Sequence, residues 1–246
     1  MTIGIPGLDA RAMGAMFLFL AALHSAPAEP ATIAAGPIKR FGVVSVVADK
    51  FARSYIGFTA FTNQVEEIDV TAWGIDAAYA DQLGKVAAGL LNAEYVAAPY
   101  SPNDFSKISQ TNWRGAPNWS SIEAAVKTYC GTNELDVLLV ISKDRGKMPG
   151  TTIERVPMGI QGGGYGGYLR LSAAVNIYDC ATGRMHQTEL LRSTGQLVPQ
   201  VEISRDLMTH PLSEMDDKAR DEIKSKLLSL PGPDWDQTLR RMVRTQ

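Results

Sequence analysis

The chain has 246 residues, 45% hydrophobic, 20% charged and 8% aromatic, with 22 Gly and 13 Pro. That composition belongs to an ordinary globular protein and excludes collagen-like, coiled-coil and low-complexity classes. Lys plus Arg number 24 against 26 Asp plus Glu, a formal charge of -2, so there is no electrostatic footprint for nucleic acid or for an anionic membrane.

The apolar run Ala12–Leu23 is short of the roughly 20 residues needed to cross a bilayer. It has the length of a secretory signal core, and the small residues Ala26-Pro27-Ala28 follow it. Residues 1–28 are therefore expected to be a signal peptide, cut after Ala28, and the mature chain carries no further long apolar run. Arg11 is the sole positive side chain ahead of the apolar core and Asp9 nearly cancels it, so a buried N-terminal helix of a cytoplasmic protein is the competing reading. With no cysteine near the cut, no lipid anchor is expected. Residues 29–38, small and proline-bearing, read as a tether.

Residues 39–246 are expected to form one domain of α/β or α+β class. Phe41–Ala48 is a β-branched apolar run and reads as a buried strand. Asp49-Lys50 reads as a turn into a second strand, Tyr55–Phe61, giving a hairpin. Asp76–Leu91 carries apolar residues at three- and four-residue steps and predicts an amphipathic helix, with Thr71 or Asp76 near its start and Asn92 at its end. A short strand follows at Glu94–Ala98. Residues 99–118, rich in Ser, Asn and Pro, read as a long irregular loop. A helix at Ser120–Tyr129, ended by Gly131, leads to a buried strand at Leu135–Ile141. Leu169, Leu171, Ala173, Val175 and Ile177 alternate with polar residues along one long strand, which returns through Arg184–Arg192. Helices are expected at Asp217–Leu230 and Trp235–Val243. The sum is a mixed, mostly antiparallel sheet with helices packed on it.

Cys130 and Cys180 are the only cysteines. They are too few for an all-cysteine zinc site and are not a C-x-x-C pair. If the strands near Leu135 and Leu169–Tyr178 are antiparallel neighbours, both cysteines fall at one sheet edge, and a disulfide is expected there. Otherwise they are two separate buried thiols.

Gly162, Gly164 and Gly167 spell G-x-G-x-x-G, but the motif precedes a strand, whereas a dinucleotide site needs it to open a helix. It reads as a hairpin loop, with Tyr165 and Tyr168 as contact aromatics. His186 and His210 stand outside any metal-ligand spacing, and no G-x-S-x-G elbow occurs. No catalytic residue, metal or cofactor is therefore expected from local pattern. Tyr100, Phe105, Trp113 and Trp119 are spread over a polar loop, which suits contact with a peptide, a protein or a glycan, or anchoring of the loop itself. Glu66, Glu67 and Asp69 form an acidic cluster that could supply an acid–base pair.

The segment Phe41–Phe51, continued by Ile56–Phe61 and by Ala72-Trp73-Gly74-Ile75-Asp76, resembles an uncharacterised family of exported bacterial proteins with a "GVVS…GDxF" strand-turn and a "W-G-I-D" helix start. Ala48 stands where a glycine is usual. At fold level the element order is similar to the periplasmic domains of penicillin-binding-protein activators and of the curli secretion-channel protein, which are binding and assembly modules. These resemblances imply an exported, non-catalytic binding or accessory protein of the bacterial envelope, in contact with an envelope protein or glycan. The alternative is a hydrolase acting on an envelope polymer through paired carboxylates.

Overall fold

The computed structural model describes residues 37–55, 64–105, 108, 119–144, 157–163, 166–191, 200–203, 207 and 211–244. All of them belong to the unit Thr32–Gln246. Ten strands are described: β1 (Arg40–Ser45), β2 (Lys50–Tyr55), β3 (Gln64–Asp69), β4 (Glu94–Val96), β5 (Val137–Lys143), β6 (Met158–Gly163), β7 (Gly166–Leu171), β8 (Ala173–Asp179), β9 (Met185–Leu190) and β10 (Gln200–Ile203). The helices are α1 (Ile75–Leu91), α2 (Pro102–Phe105), α3 (Trp119–Asn133), α4 (Asp217–Ser229) and α5 (Gly232–Arg244).

The fold is α+β, with helices on mixed, mostly antiparallel sheet, as the sequence predicts. The strands divide between two five-stranded sheets, in the orders β4-β1-β5-β8-β9 and β10-β7-β6-β2-β3. In the first, β4, β1 and β5 are parallel and β8 and β9 antiparallel. In the second, only β2 and β6 run parallel.

Two crossings between the sheets explain where pattern and structure part. The predicted long strand breaks at Ser172, so that β7 lies in one sheet and β8 in the other. Its alternation is nevertheless unbroken, because Leu169, Leu171, Ala173, Val175 and Ile177 all enter one core. A chain that leaves one sheet for another sharing its core keeps the same parity of buried residues, so period 2 carries no mark of the break. The second crossing is at 46–49. β1 and β2 form no hairpin, and Lys50–Tyr55, where a turn is expected to begin, is strand β2; of the expected strand Tyr55–Phe61 only Tyr55 is among the described residues. Residues 56–61 lie outside the described residues. Arg53 disguised this strand: on the core side of β2 its side chain is only 12% exposed, and its guanidinium pairs with Glu66 at 2.9 Å. A charge can sit there only because it is paired.

The main core lies among α1, α4, α5 and both sheets, and includes Phe41, Phe51, Tyr79, Leu83, Leu169 and Trp235, none more than 0% exposed. Each such side chain contributes roughly 1.5–3 kcal/mol on burial. α1 presses close to β4 at Gly84, where an added Cβ would lie 2.4 Å from the Tyr95 ring. Asn92 ends α1 at φ 50, the left-handed conformation for which Asn is suited. Asp216 caps α4 by accepting from the Ala219 N–H at 2.7 Å.

The opposite face of the first sheet carries a second core, in which Val44, Leu138, Val140 and Tyr178 meet Phe105, Ile122, Val126 and Cys130. α3 runs beyond the predicted stop at Gly131, through to Asn133. Strands β5 and β8 are antiparallel neighbours, with Val137 opposite Asp179. Cys130 and Cys180 are joined as a disulfide with a Cα–Cα distance of 5.6 Å. The geometric condition set by the sequence is thus met.

Candidate functional site

Three parallel strands end at one edge of the first sheet, and in α/β sheets such carboxyl ends are where ligands gather. β4 pairs with β1 only as far as Gly42 opposite Val96. Beyond that point β1 lacks a strand neighbour on this side, and Tyr100 supplies the missing partner. Its hydroxyl accepts from the Ser45 N–H and donates to the Ser45 C=O, both at 3.0 Å. On the other side of Ser45, the Asp76 carboxylate accepts from the Ser45 hydroxyl at 2.6 Å. It also accepts from the Val47 N–H at 2.9 Å and the Ala48 N–H at 3.2 Å. These bonds fix the crossing between the sheets. Burial pushes the Asp76 carboxyl above its ordinary range against the pull of those donors, and Asp49 adds to the rise. Burial likewise raises the Tyr100 phenol, which stays a neutral donor.

Tyr100→Phe removes the only atom of that side chain able to bond Ser45. The loss should be about 1–2 kcal/mol, the cost of leaving a partly buried N–H and C=O unpaired. A urea midpoint unchanged from the parent's would show that water replaces the hydroxyl at no cost.

The same tyrosine borders a groove of about 780 Å³ between the segment Pro99–Phe105 and α3. The helix lends it one face: Ser121, Ala124, Ala125, Thr128, Tyr129, Thr132 and Asn133, at three- and four-residue steps. Phe105 is 1% exposed, with its ring centroid 6.3 Å from Tyr100 and 5.5 Å from Tyr129. The Tyr129 hydroxyl donates to the Ala98 C=O at 3.1 Å, and burial pushes its pKa up to about 12. Asn133 and Thr132 donate to the α3 carbonyls of Tyr129 and Thr128.

Of the aromatics singled out by sequence, the structure brings Tyr100 and Phe105 together at this groove. Trp113 and Tyr165 lie outside the described residues. Trp119 opens α3, and its side chain also lies outside them. Tyr168 is on β7 in the other sheet, 46% exposed, on the outward face that it shares with Val65 of β3. The glycine segment is therefore largely strand, with Gly162 paired to Gly167 in the β6–β7 hairpin. Sequence reasoning missed Tyr129 and the α3 face. The signal available was the uncharged series Ser121, Ala124, Thr128, Thr132. It missed Asp76 as a long-range ligand of the crossing, for which no local signal exists.

The acidic cluster is dispersed by the strand pleat. Glu66 faces inward to Arg53 and accepts from the Ser213 N–H at 3.2 Å, while Glu67 faces outward to Lys50 at 2.9 Å. Asp69 accepts from the Thr71 N–H at 2.8 Å. His186 lies on β9 with Nδ1 unbonded, and His210 falls outside the described residues. Among the described residues no group of three or more His, Cys, Asp or Glu is placed to hold a metal ion. None of their helices is long and apolar enough to cross a membrane.

No family model matches the chain, and no curated protein matches it. Among solved structures, it is similar to the hypothetical protein CT253 from Chlamydia trachomatis at 8% identity and a TM-score of 0.30, covering 84% of this chain and 94% of that one. It is also similar to protein XCC0632 from Xanthomonas campestris, of the DUF330 family, at 9% identity and a TM-score of 0.26, covering 85% and 89%. Both likenesses are too slight to carry an inference about fold detail or activity.

Proposed function

We propose that this chain is an exported, non-catalytic binding module of the bacterial envelope, and that its contact surface is the groove between Pro99–Phe105 and α3. The observation that carries the reading is the groove itself. Its volume of about 780 Å³ lies in the range of sites that hold small molecules or short segments, and it combines aromatic side chains with a few polar groups. Support for export comes from the expected signal segment at residues 1–28 and from the Cys130–Cys180 disulfide, a bond that persists in oxidising compartments. The reading without catalysis draws on the local carboxylates: Glu66 and Glu67 pair with Arg53 and Lys50 of β2, and Asp69 accepts from the Thr71 N–H in the turn that follows β3.

The test is in-cell crosslinking with mass spectrometry on tagged protein from a fractionated envelope. Thr128 is an exposed residue on the groove face of α3, so Thr128→Trp fills the groove without entering the core. The parent should capture a specific envelope component, and Thr128→Trp should lose that capture while melting at an unchanged temperature. Capture that survives the substitution removes the groove from the reading, and recovery of the protein from the cytoplasm removes the export.

A further inference from the structure

We infer that the groove takes a neutral, hydroxyl-rich ligand, a short oligosaccharide, with the tyrosine rings meeting its C–H faces. The inference rests on the groove being the contact surface and is carried by the chemistry of its lining. Both tyrosine hydroxyls are already committed, Tyr100 to the Ser45 backbone and Tyr129 to the Ala98 carbonyl. What they offer a ligand is therefore ring surface, with its negative π-face and positive edge. Around them stand hydroxyl side chains, Ser101, Ser121 and Thr128, which both donate and accept.

The charge balance narrows the class. Among the described lining residues Asp104 is the only charged side chain, and there is no Lys or Arg. Among these described residues a phosphate, a carboxylate or an acidic glycan would meet the like charge of Asp104 and no compensating cation, an arrangement that selects against anions. The apolar content narrows it further. No Leu, Ile, Val or Met lines the groove among the described residues, and its aliphatic surface is limited to Pro99, Ala124 and Ala125. Among the described residues, an acyl chain or the apolar stripe of a helix would find no branched side chains to bury against. Sugars are the ligands that ask for ring surface and a mixed donor–acceptor rim together, which is what the described lining offers.

The experiment is saturation-transfer NMR and calorimetry on the oxidised protein. The probes are N-acetylglucosamine trimer, cellotriose and maltotriose, with sialyllactose and dodecanoate as anionic and acyl comparators. At least one neutral trisaccharide should bind, with transfer to its ring C–H protons. Its affinity should fall at least tenfold in Asp104→Ala, and binding should vanish in Thr128→Trp, both variants melting with the parent. No binding of any neutral trisaccharide overturns the inference, as does binding that survives Thr128→Trp, or preferential binding of sialyllactose or dodecanoate. Envelope capture that depends on the groove, without sugar binding, would leave the binding module standing and remove the ligand class. Loss of both would remove both.

Discussion

Asp76→Ala is expected to lower the stability of the fold by about 3–5 kcal/mol, among the largest losses available to a single substitution here. The alanine leaves three donors without an acceptor: the Ser45 hydroxyl and the Val47 and Ala48 N–H groups. Ser45 and Val47 are each 0% exposed, so water has poor access to take over. The segment that loses its anchor is the crossing from the first sheet to the second, and the loss reaches both. Asp76→Asn is the informative companion. It keeps one side-chain oxygen where Oδ1 now accepts all three donors, but puts an amide NH2 where Oδ2 accepts from the Ala48 N–H at 3.2 Å, so that donor faces donor. Its cost should be about 1–2 kcal/mol, still well below that of the alanine.

The pH dependence separates the two contributions to this site. Because the folded-state pKa of Asp76 is raised from its ordinary 3.8, the folded protein holds that proton more tightly than the unfolded chain does. This group's stabilisation is then fully present below the unfolded value and is lost as pH rises through the raised one. The parent should therefore gain on Asp76→Asn as the solution is acidified through that window, and the gap should be smallest near neutral pH. Urea titrations of both proteins across this range check it. The opposite slope would mean that the donors outweigh burial and that the carboxylate is held ionised. An Asp76→Ala midpoint within about 1 kcal/mol of the parent would mean that the crossing is not anchored here at all.

Periodicity exposed the helices because their faces repeat within a few residues. α1 was legible from Asp76 to Leu91, beginning one residue earlier at Ile75 and ending at the expected Asn92, and the closing pair of helices was legible from its apolar stripes, although the last helix begins at Gly232, ahead of the expected Trp235. The division into two sheets was not legible. Ser172 sits where the chain crosses between them, yet the parity of buried residues continues across it, since both strands feed one core. The site was half legible for a related reason. Tyr100 and Phe105 stood out as aromatics in a polar loop, whereas Asp76 looked like an acidic residue of a helix's first turn, a place where acids are common for local electrostatic reasons. Its partners are 28 to 31 positions away in sequence, and no local rule links them.

The second large effect concerns the disulfide, whose location ties stability to the groove. Cys130 and Cys180 close a loop of sequence separation 50, and the chain-entropy model gives about 4 kcal/mol for a bridge of that span. For a chain of this size such a loss should lower the melting temperature by about 10 °C. The damage should not be uniform. Cys130 is buried in the last turns of α3, flanked by Thr128, Tyr129, Thr132 and Asn133, all of which face the groove. Reduction releases that end of the helix from the end of β8, so whatever the groove binds should be lost at reductant concentrations where the first sheet still retains its circular dichroism. The double substitution Cys130→Ser, Cys180→Ser should reproduce both losses in the absence of reductant. A melting temperature unchanged by reduction would show that the packing of Ile122 and Val126 holds α3 without the bridge. The same bond also reports on compartment. Thiol labelling of cells should find the pair oxidised in the parent and free in a variant lacking residues 1–28. A pair that is equally oxidised in both would detach the disulfide from the export argument.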